Sequence, residues 1–313
     1  MKAIKLTSTL DLPREEWLAL RRRGIGGSDA GAILGLNPYQ SAYGVWCDKL
    51  GLTDEQPDSE AMRQGRDFEA YVAQRFCEAT GKKVRRCNAM LAHPDHPFLL
   101  ANVDRLIAGE DAGLECKTAS ALSRTDYAAG DVPPQHYVQC QHYLAVTGLS
   151  RWYLAILVLG RAFYTFEIER DDMEIAALID AEKAFWEGNV LSNTPPAPDG
   201  SPRAKEVLLR RYADEGGSVP LYGMEGDAKE ICRLSDEISA LERQREAARQ
   251  RIMDAMGSAS EGILPGYKIS WRASERTTID AKRLRAEAPD VAEKYSRTTA
   301  TRTFKLAEDP QVI

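Results

Sequence analysis

The spacing of apolar and polar positions changes several times along the chain, and each change predicts an element. Phe68, Val72 and Phe76 recur at four-residue steps within residues 64–76, which predicts a helix with one buried stripe. Residues 103–107 and 114–118 alternate about the polar, glycine-containing stretch 108–113, the pattern of two strands joined as a hairpin. Pro134 opens and Gly148 closes a helical stretch whose Val138, Gln141, Leu144 and Ala145 share a face, with Gln139 turned away from it. At least one of those amides is expected to be enclosed. Residues 152–159 and 162–168 read as a second pair of strands, and 171–188 as an amphipathic helix. Near the start, residues 21–35 read as a loop opening a short helix, with Ser28 as its N-cap and Gly35 as its stop.

A Pro-rich stretch, 194–202, has linker composition and marks a boundary. Beyond it, 204–212 reads as helix and 225–256 as a long charged helix carrying Ile231, Leu234, Ile238 and Leu241 at three- and four-residue steps. That stripe does not persist through enough strict heptads for a coiled-coil seam, so it reads as an ordinary packing face. A strand over 267–272, a short helix over 281–286 and a strand-like 302–306 complete the pattern. The organisation predicted is an α/β domain over 1–193, a linker over 194–203 and a small C-terminal helix-plus-strands module over 204–313.

Candidate chemistry gathers on the first hairpin. Strand alternation puts Glu115 and Lys117 on one face and turns Leu114 and Cys116 toward a core, while Asp104 lies on the other arm. Two carboxylates with the Cys116 backbone carbonyl between them are hard oxygen donors suited to magnesium, and the Lys117 ammonium can stabilise charge developing on a phosphate. For the tripeptide alone, the plain alternative is an exposed hairpin with a surface Glu and Lys. Glu69 borders the helical stripe and is either a further metal ligand or the ion-pair partner of Arg66 or another base. Arg21, Arg22 and Arg23, ahead of a glycine-rich turn and Ser28, offer donors for a phosphate; the alternative is a capped helix behind a solvated basic run. The glutamines fit either a phosphate-handling site or hydrogen bonding between helices.

Trp17 and Arg21 followed by Gly24-Ile25-Gly26-Gly27-Ser28-Asp29-Ala30, then Gly65 and Glu69, Asp104, Glu115-Cys116-Lys117 and Gln139-Cys140-Gln141, resemble the YqaJ-type viral recombinase family over about residues 10–190. That family groups with the lambda-type phage exonucleases of the PD-(D/E)xK superfamily. The resemblance implies a restriction-endonuclease-like core, a central mixed sheet flanked by helices. It implies Asp104, Glu115 and the Cys116 carbonyl as ligands of a catalytic magnesium, for which manganese can substitute, and Glu69 as the carboxylate completing a second metal position. Lys117 then corresponds to the catalytic lysine and Gln139 to the glutamine of the late active-site helix, with Gln141 as a secondary match. Arg21 and Ser28 fall where the family grips a terminal 5′-phosphate, and Arg22 and Arg23 stand as alternatives to Arg21. Val103 replaces the usual proline before Asp104.

The activity so implied is digestion of one strand of linear double-stranded DNA, 5′ to 3′ from a 5′-phosphorylated end, exposing a 3′ single strand. A structure- or site-selective endonuclease and a non-catalytic DNA-binding protein are the other classes to weigh. The implied partners are DNA ends, a single-strand annealing protein and further copies of the chain in a ring-shaped trimer.

Composition alters this picture only in part. The 313 residues, 43% hydrophobic, can bury one domain-sized core with an appendage. A formal net charge of −6 argues against a uniformly basic surface, yet Arg14 with Arg21–Arg23, and Lys82, Lys83, Arg85 and Arg86, form local basic clusters. The six cysteines show no C-x-x-C pairing and no repeated spacing, so neither structural zinc nor a disulfide frame is suggested, and the pattern argues against an iron–sulfur cluster. His93 and His96 lie in a Pro-rich stretch and read as loop residues. The start of the chain has neither a signal peptide nor a spanning apolar run, so the expected location is the cytoplasm of a bacterial host, with no membrane and a phage or prophage origin implied by the resemblance.

Overall fold

Alternation along one strand explains the layering of the first of two units, Met1–Ala213 and Asp214–Ile313, in a computed structural model that describes residues 2–52, 58–123, 125–212, 214–298 and 302–307. The first unit begins β1 (Ile4–Ser8), α1 (Arg14–Arg21), β2 (Ile25–Gly26), α2 (Gly27–Ile33) and α3 (Ala42–Leu50). It continues with α4 (Glu60–Thr80), β3 (Val84–Arg86), β4 (Ala89–Ala92), β5 (Leu99–Asn102), β6 (Arg105–Ile107) and β7 (Ala112–Ala119). Then follow α5 (Pro134–Thr147), β8 (Arg151–Val158), β9 (Ala162–Glu169), α6 (Asp172–Phe185) and α7 (Pro202–Arg211).

Five strands in the order β3-β6-β7-β8-β9 form a mixed sheet, β7 and β8 being parallel and the other pairs antiparallel. Parallel neighbours need a crossover, and α5 supplies it. In β8, Trp152, Leu154, Ile156 and Val158 join the core that contains Cys140 and Leu144 of α5. The intervening Tyr153 and Ala155 pack instead with Val72, Ala73 and Phe76 of α4 and with Leu114 of β7. The central sheet is thus flanked by α4 and α5, the mixed α/β core expected. A second sheet, in the order β1-β4-β5-β2, carries the short parallel β2–β5 pair.

Several expectations change. The stripe of α4 is Val72, Ala73 and Phe76, while Phe68 is 37% exposed. The predicted helix over 204–212 appears as α7, whose Ala204 and Val207 are buried and which packs against α3. Arg211 lies over the Trp46 ring at 4.7 Å and donates to Tyr43 Oη at 2.7 Å. The units therefore divide after α7 rather than at the Pro-rich stretch, because apolar burial and these contacts outweigh linker composition.

In the second unit α8 (Glu225–Met256) buries none of its residues, which overturns the reading of its stripe as an ordinary packing face. A hairpin of β10 (Glu261–Leu264) and β11 (Tyr267–Ser270) follows, then α9 (Ala281–Glu287) and α10 (Pro289–Lys294). Residues 302–306 form no strand. Among the described residues no helix is long and apolar enough to cross a membrane.

A buried hydrogen-bonded pair ties α5 to α6, and the same ring reaches β5. His142 is fully enclosed, with Nδ1 2.7 Å from Glu182 Oε1 and Nε2 2.8 Å from the Leu100 carbonyl oxygen. A carbonyl can only accept, so Nε2 carries a proton. Burial opposes a charge on this ring, but the Glu182 carboxylate outweighs it and raises the imidazole pKa. Glu182→Ala leaves the enclosed His142 Nδ1 without its partner and is expected to lower unfolding free energy by roughly 1–3 kcal/mol in a urea titration. No measurable loss would show that the contact does not stabilise the fold.

Candidate active site

Asp104 stands immediately before β6, where the ladder to β7 begins with Arg105 opposite Leu114. Its position is fixed by the backbone, since the Cys116 amide of β7 donates to Asp104 Oδ2 at 2.8 Å. Glu115 and Lys117 share a strand face and meet, Nζ to Oε1, at 2.6 Å. Glu115 is only 3% exposed. Its Oε1 also accepts from Gln139 Nε2 at 2.7 Å, and that same amide donates to Tyr143 Oη at 2.9 Å. Glu115 Oε2 is enclosed with no hydrogen-bond partner.

Charge in this small volume is unevenly compensated. Burial, then the neighbouring Glu115 carboxylate, pushes the Asp104 carboxyl well above its usual range, with Lys117 opposing and Glu69 reinforcing the shift. Desolvation disfavours the Lys117 ammonium, but Glu115 and Asp104 together hold its pKa above the ordinary value. A carboxyl whose ionisation a neighbouring carboxylate opposes, beside an enclosed Glu115 oxygen that has no partner, suits an added divalent cation. Asp104, Glu115 and the intervening carbonyl are hard oxygen donors of the required kind.

Glu69 is differently engaged. Arg105 Nη1 donates to Glu69 Oε1 at 2.5 Å and to the Asp104 carbonyl oxygen at 2.7 Å. The base that pairs with Glu69 is therefore Arg105, while Arg66 pairs with Asp58. Glu69, Asp104 and Arg105 line one side of a cavity of about 280 Å³, with Arg86, Asn88 and Asn102 also on its wall. Among the described residues, no three carboxylate, histidine or thiol side chains close into a ready-made ion cage.

The glycine-rich segment meets this centre through α5. A Cβ on Gly27 would lie 2.6 Å from Tyr143 Cε1 and 3.1 Å from Gln139 Cγ, and one on Gly31 would lie 3.1 Å from the Gln135 Cα. These glycines serve close packing of α2 on α5, next to the glutamine that holds Glu115. Ser28 is not the N-cap; α2 starts at Gly27 behind Gly26, and Asp29 Oδ2 accepts the Gly26 amide at 2.9 Å. Ser28 keeps an exposed hydroxyl that accepts from Arg21 Nη2 at 2.9 Å. Arg21 also stacks over Trp17 at 5.1 Å and reaches Asp29 Oδ1 at 3.3 Å. Arg22 Nε is buried without a hydrogen-bond partner, and its guanidinium lies toward Gly51. Of the three arginines, Arg21 is the one whose guanidinium lies at Ser28.

Gln141 is set apart from the carboxylates. Its Nε2 donates to the Glu169 carbonyl at 2.9 Å and its Oε1 accepts from the Asp171 amide at 3.3 Å, so it secures the turn from β9 into α6. Both glutamines are enclosed, and Gln139 is the one facing the carboxylates.

Sequence reasoning missed three participants. Lys49, 6% exposed within α3, donates to Asp29 Oδ2 at 2.6 Å and to the Arg21 carbonyl at 3.1 Å. Tyr143 and His136 flank Gln139 at i+4 and i−3, a spacing that puts all three on one helix face. Burial, followed by the nearby Lys117, lowers the His136 imidazole to about 3, and its Nδ1 is enclosed without a partner. This ring is neutral beside the ammonium.

The model of the YqaJ-like viral recombinase domain matches residues 16–150. The chain is 39% identical to the uncharacterized protein YqaJ of Bacillus subtilis (strain 168) over 313 aligned positions, 98% of each protein. Solved structures with a likeness include an alkaline exonuclease from Laribacter hongkongensis, at 21% identity and a TM-score of 0.47 over 57% of this chain and 94% of that one. A phage-related exonuclease from Haemophilus somnus matches at 12% identity and a TM-score of 0.43, over 56% of this chain and 99% of that one.

Although burial opposes it, the charges of Lys49 and Arg21 hold the Asp29 carboxyl down at about 2. Asp29→Ala strands the buried Lys49 ammonium and is expected to cost roughly 3–5 kcal/mol in denaturant titration near pH 7. A carboxyl depressed on folding stabilises above its unfolded pKa. The wild-type advantage should therefore fade as pH falls from the ordinary 3.8 through about 2, and an advantage constant across that range would show that the charge is not involved.

Proposed function

The chain belongs to the YqaJ-like viral recombinase family, and we propose on that premise that Asp104, Glu115 and Lys117 form a nuclease site acting on DNA. The substrate in this reading is linear duplex with a 5′-phosphorylated end, digested 5′ to 3′ so that a 3′ single strand remains. The observation that carries it is the enclosed Glu115, with Lys117 on one oxygen and no hydrogen-bond partner on the other. Pure DNA docking gains nothing from clustered carboxylates facing phosphates. Phosphodiester hydrolysis does.

Asp104, Glu115 and the Cys116 carbonyl would hold magnesium, with manganese able to replace it; when bound, the ion supplies Lewis-acid polarisation and activates water for in-line attack. The protein's own groups do the rest. Lys117 places positive charge where the phosphate gains negative charge, in a site where it is poorly screened by water. Gln139 fixes the Glu115 carboxylate, and the Cys116 amide fixes Asp104. Arg21 and Ser28 supply donors for a terminal phosphate, and Trp17 and Asp29 hold the guanidinium in place. Ser28 follows directly on Gly27, which packs against Gln139, so these donors belong to the same neighbourhood as the carboxylates.

End-labelled linear duplex with and without a 5′-phosphate, and a covalently closed circle, each in magnesium and in chelator, separate the classes. The expected outcome is digestion of the phosphorylated linear substrate in magnesium alone. Cutting of the closed circle would instead make the enzyme an endonuclease. Lys117→Ala should lose about 10²–10³-fold in rate and still bind DNA ends. Arg21→Ala should lose roughly ten- to a hundredfold on phosphorylated ends and little on 5′-hydroxyl ends; equal loss on both would make Arg21 a general backbone contact.

A further inference from the structure

A helix of 32 residues that buries none of them is the largest unpartnered element of the second unit. Its apolar residues are not scattered. Ile231, Leu234, Ile238 and Leu241 are 39–63% exposed and occupy successive a and d positions of two heptads; Arg245 and Ala248 take the next pair, and Ile252, 38% exposed, the a position after that.

Charge selects the occupant and its direction. The first half of α8 is acidic, with Glu225, Asp227, Glu230, Asp236, Glu237 and Glu242 against Lys229 and Arg233. The second half is basic, with Arg243, Arg245, Arg249 and Arg251 against Glu246 and Asp254. In a parallel pair, like halves would lie side by side, Arg245 would face its own copy in the core, and Glu237 at g would oppose Glu242 at e. An antiparallel pair removes all three conflicts. Ile238 then meets Leu241 of the second copy at the centre, Glu230 comes opposite Arg251, and Arg245 lays its aliphatic stem on Leu234. The ion pairs that Glu230 and Glu237 now make with Arg233 are solvent-exposed. Such pairs are weak, and they leave the seam itself uncovered.

We propose that α8 is a homodimerisation element, joining two copies of this chain antiparallel through the short apolar seam of Ile231, Leu234, Ile238 and Leu241. The proposal does not rest on the nuclease reading. It predicts an even number of copies in the assembly, so that the ring of three implied by the family resemblance would be found as two rings joined.

The test uses the full-length protein. Sedimentation equilibrium should give an even copy number for the wild type, and Ile238→Asp with Leu241→Asp should halve the mass while circular dichroism and DNA digestion per active site stay unchanged. To read direction, Glu230→Cys and Arg251→Cys proteins are mixed, treated with a short bismaleimide, and the linked peptides are identified by mass spectrometry. Links between positions 230 and 251 are expected. An odd copy number, a mass unaltered by the double substitution, or links of 230 to 230 would each overturn the proposal. Should the double variant misfold, Ile238→Ala with Leu241→Ala gives the same reading through a weakened dimer, seen as a tenfold or greater rise in the dissociation constant.

Discussion

Enclosing the Glu115 carboxylate is the constraint on which the central unit is built. A carboxylate taken out of water is costly unless charge and hydrogen bonds meet it, and its neighbours can be understood as answers to that cost. Lys117 two residues along the same strand face provides the charge, and Gln139 from the crossover helix provides the hydrogen bond. For Gln139 to reach, α5 must lie close on the sheet, with Tyr143 steadying its amide. For α2 to lie close on α5 in turn, positions 27 and 31 have to be glycine. The motifs that look independent along the chain are successive layers over one buried oxygen pair.

Much of this was legible because the relevant signals are local. Strand alternation places Glu115 with Lys117, and proline and glycine bracket α5 between Pro134 and Gly148. What escaped depends on partners far apart in sequence. Asp29 is paired with Lys49 across the α2–α3 turn, Glu69 of α4 with Arg105 of β6, and His142 with Glu182 from another helix. A Ser-Asp pair permits two helix starts, and only the Asp29 contact with Gly26 selects between them, which takes the N-cap position from Ser28. The division of the chain shifted for the same reason, since α7 is polar enough to read as detached until Ala204 and Val207 are seen buried.

The net negative charge is also easier to understand once the charges are placed. Many of the acidic groups are consumed internally or balanced by a neighbour. Asp29 is spent on Lys49 and Arg21, Glu69 on Arg105, and Glu230 and Glu237 on Arg233. Arg86 of the second basic cluster lies on the cavity shared with Asp104, whereas Lys82 of that cluster is paired with Glu110. A bulk charge count therefore describes the outside of the molecule poorly and the approach to its carboxylates worse.

Parallel pairing of β7 with β8 has a kinetic meaning as well. Glu115 belongs to β7, while the helix that covers it and the strand that completes its sheet arrive only with residues 134–158. Contacts of this kind must first close a long loop, a cost in chain entropy that slows their formation. A nascent or partly unfolded chain would hold these carboxylates in water, with the Gln139 contact unformed. The arrangement of these side chains therefore comes into being with the tertiary structure.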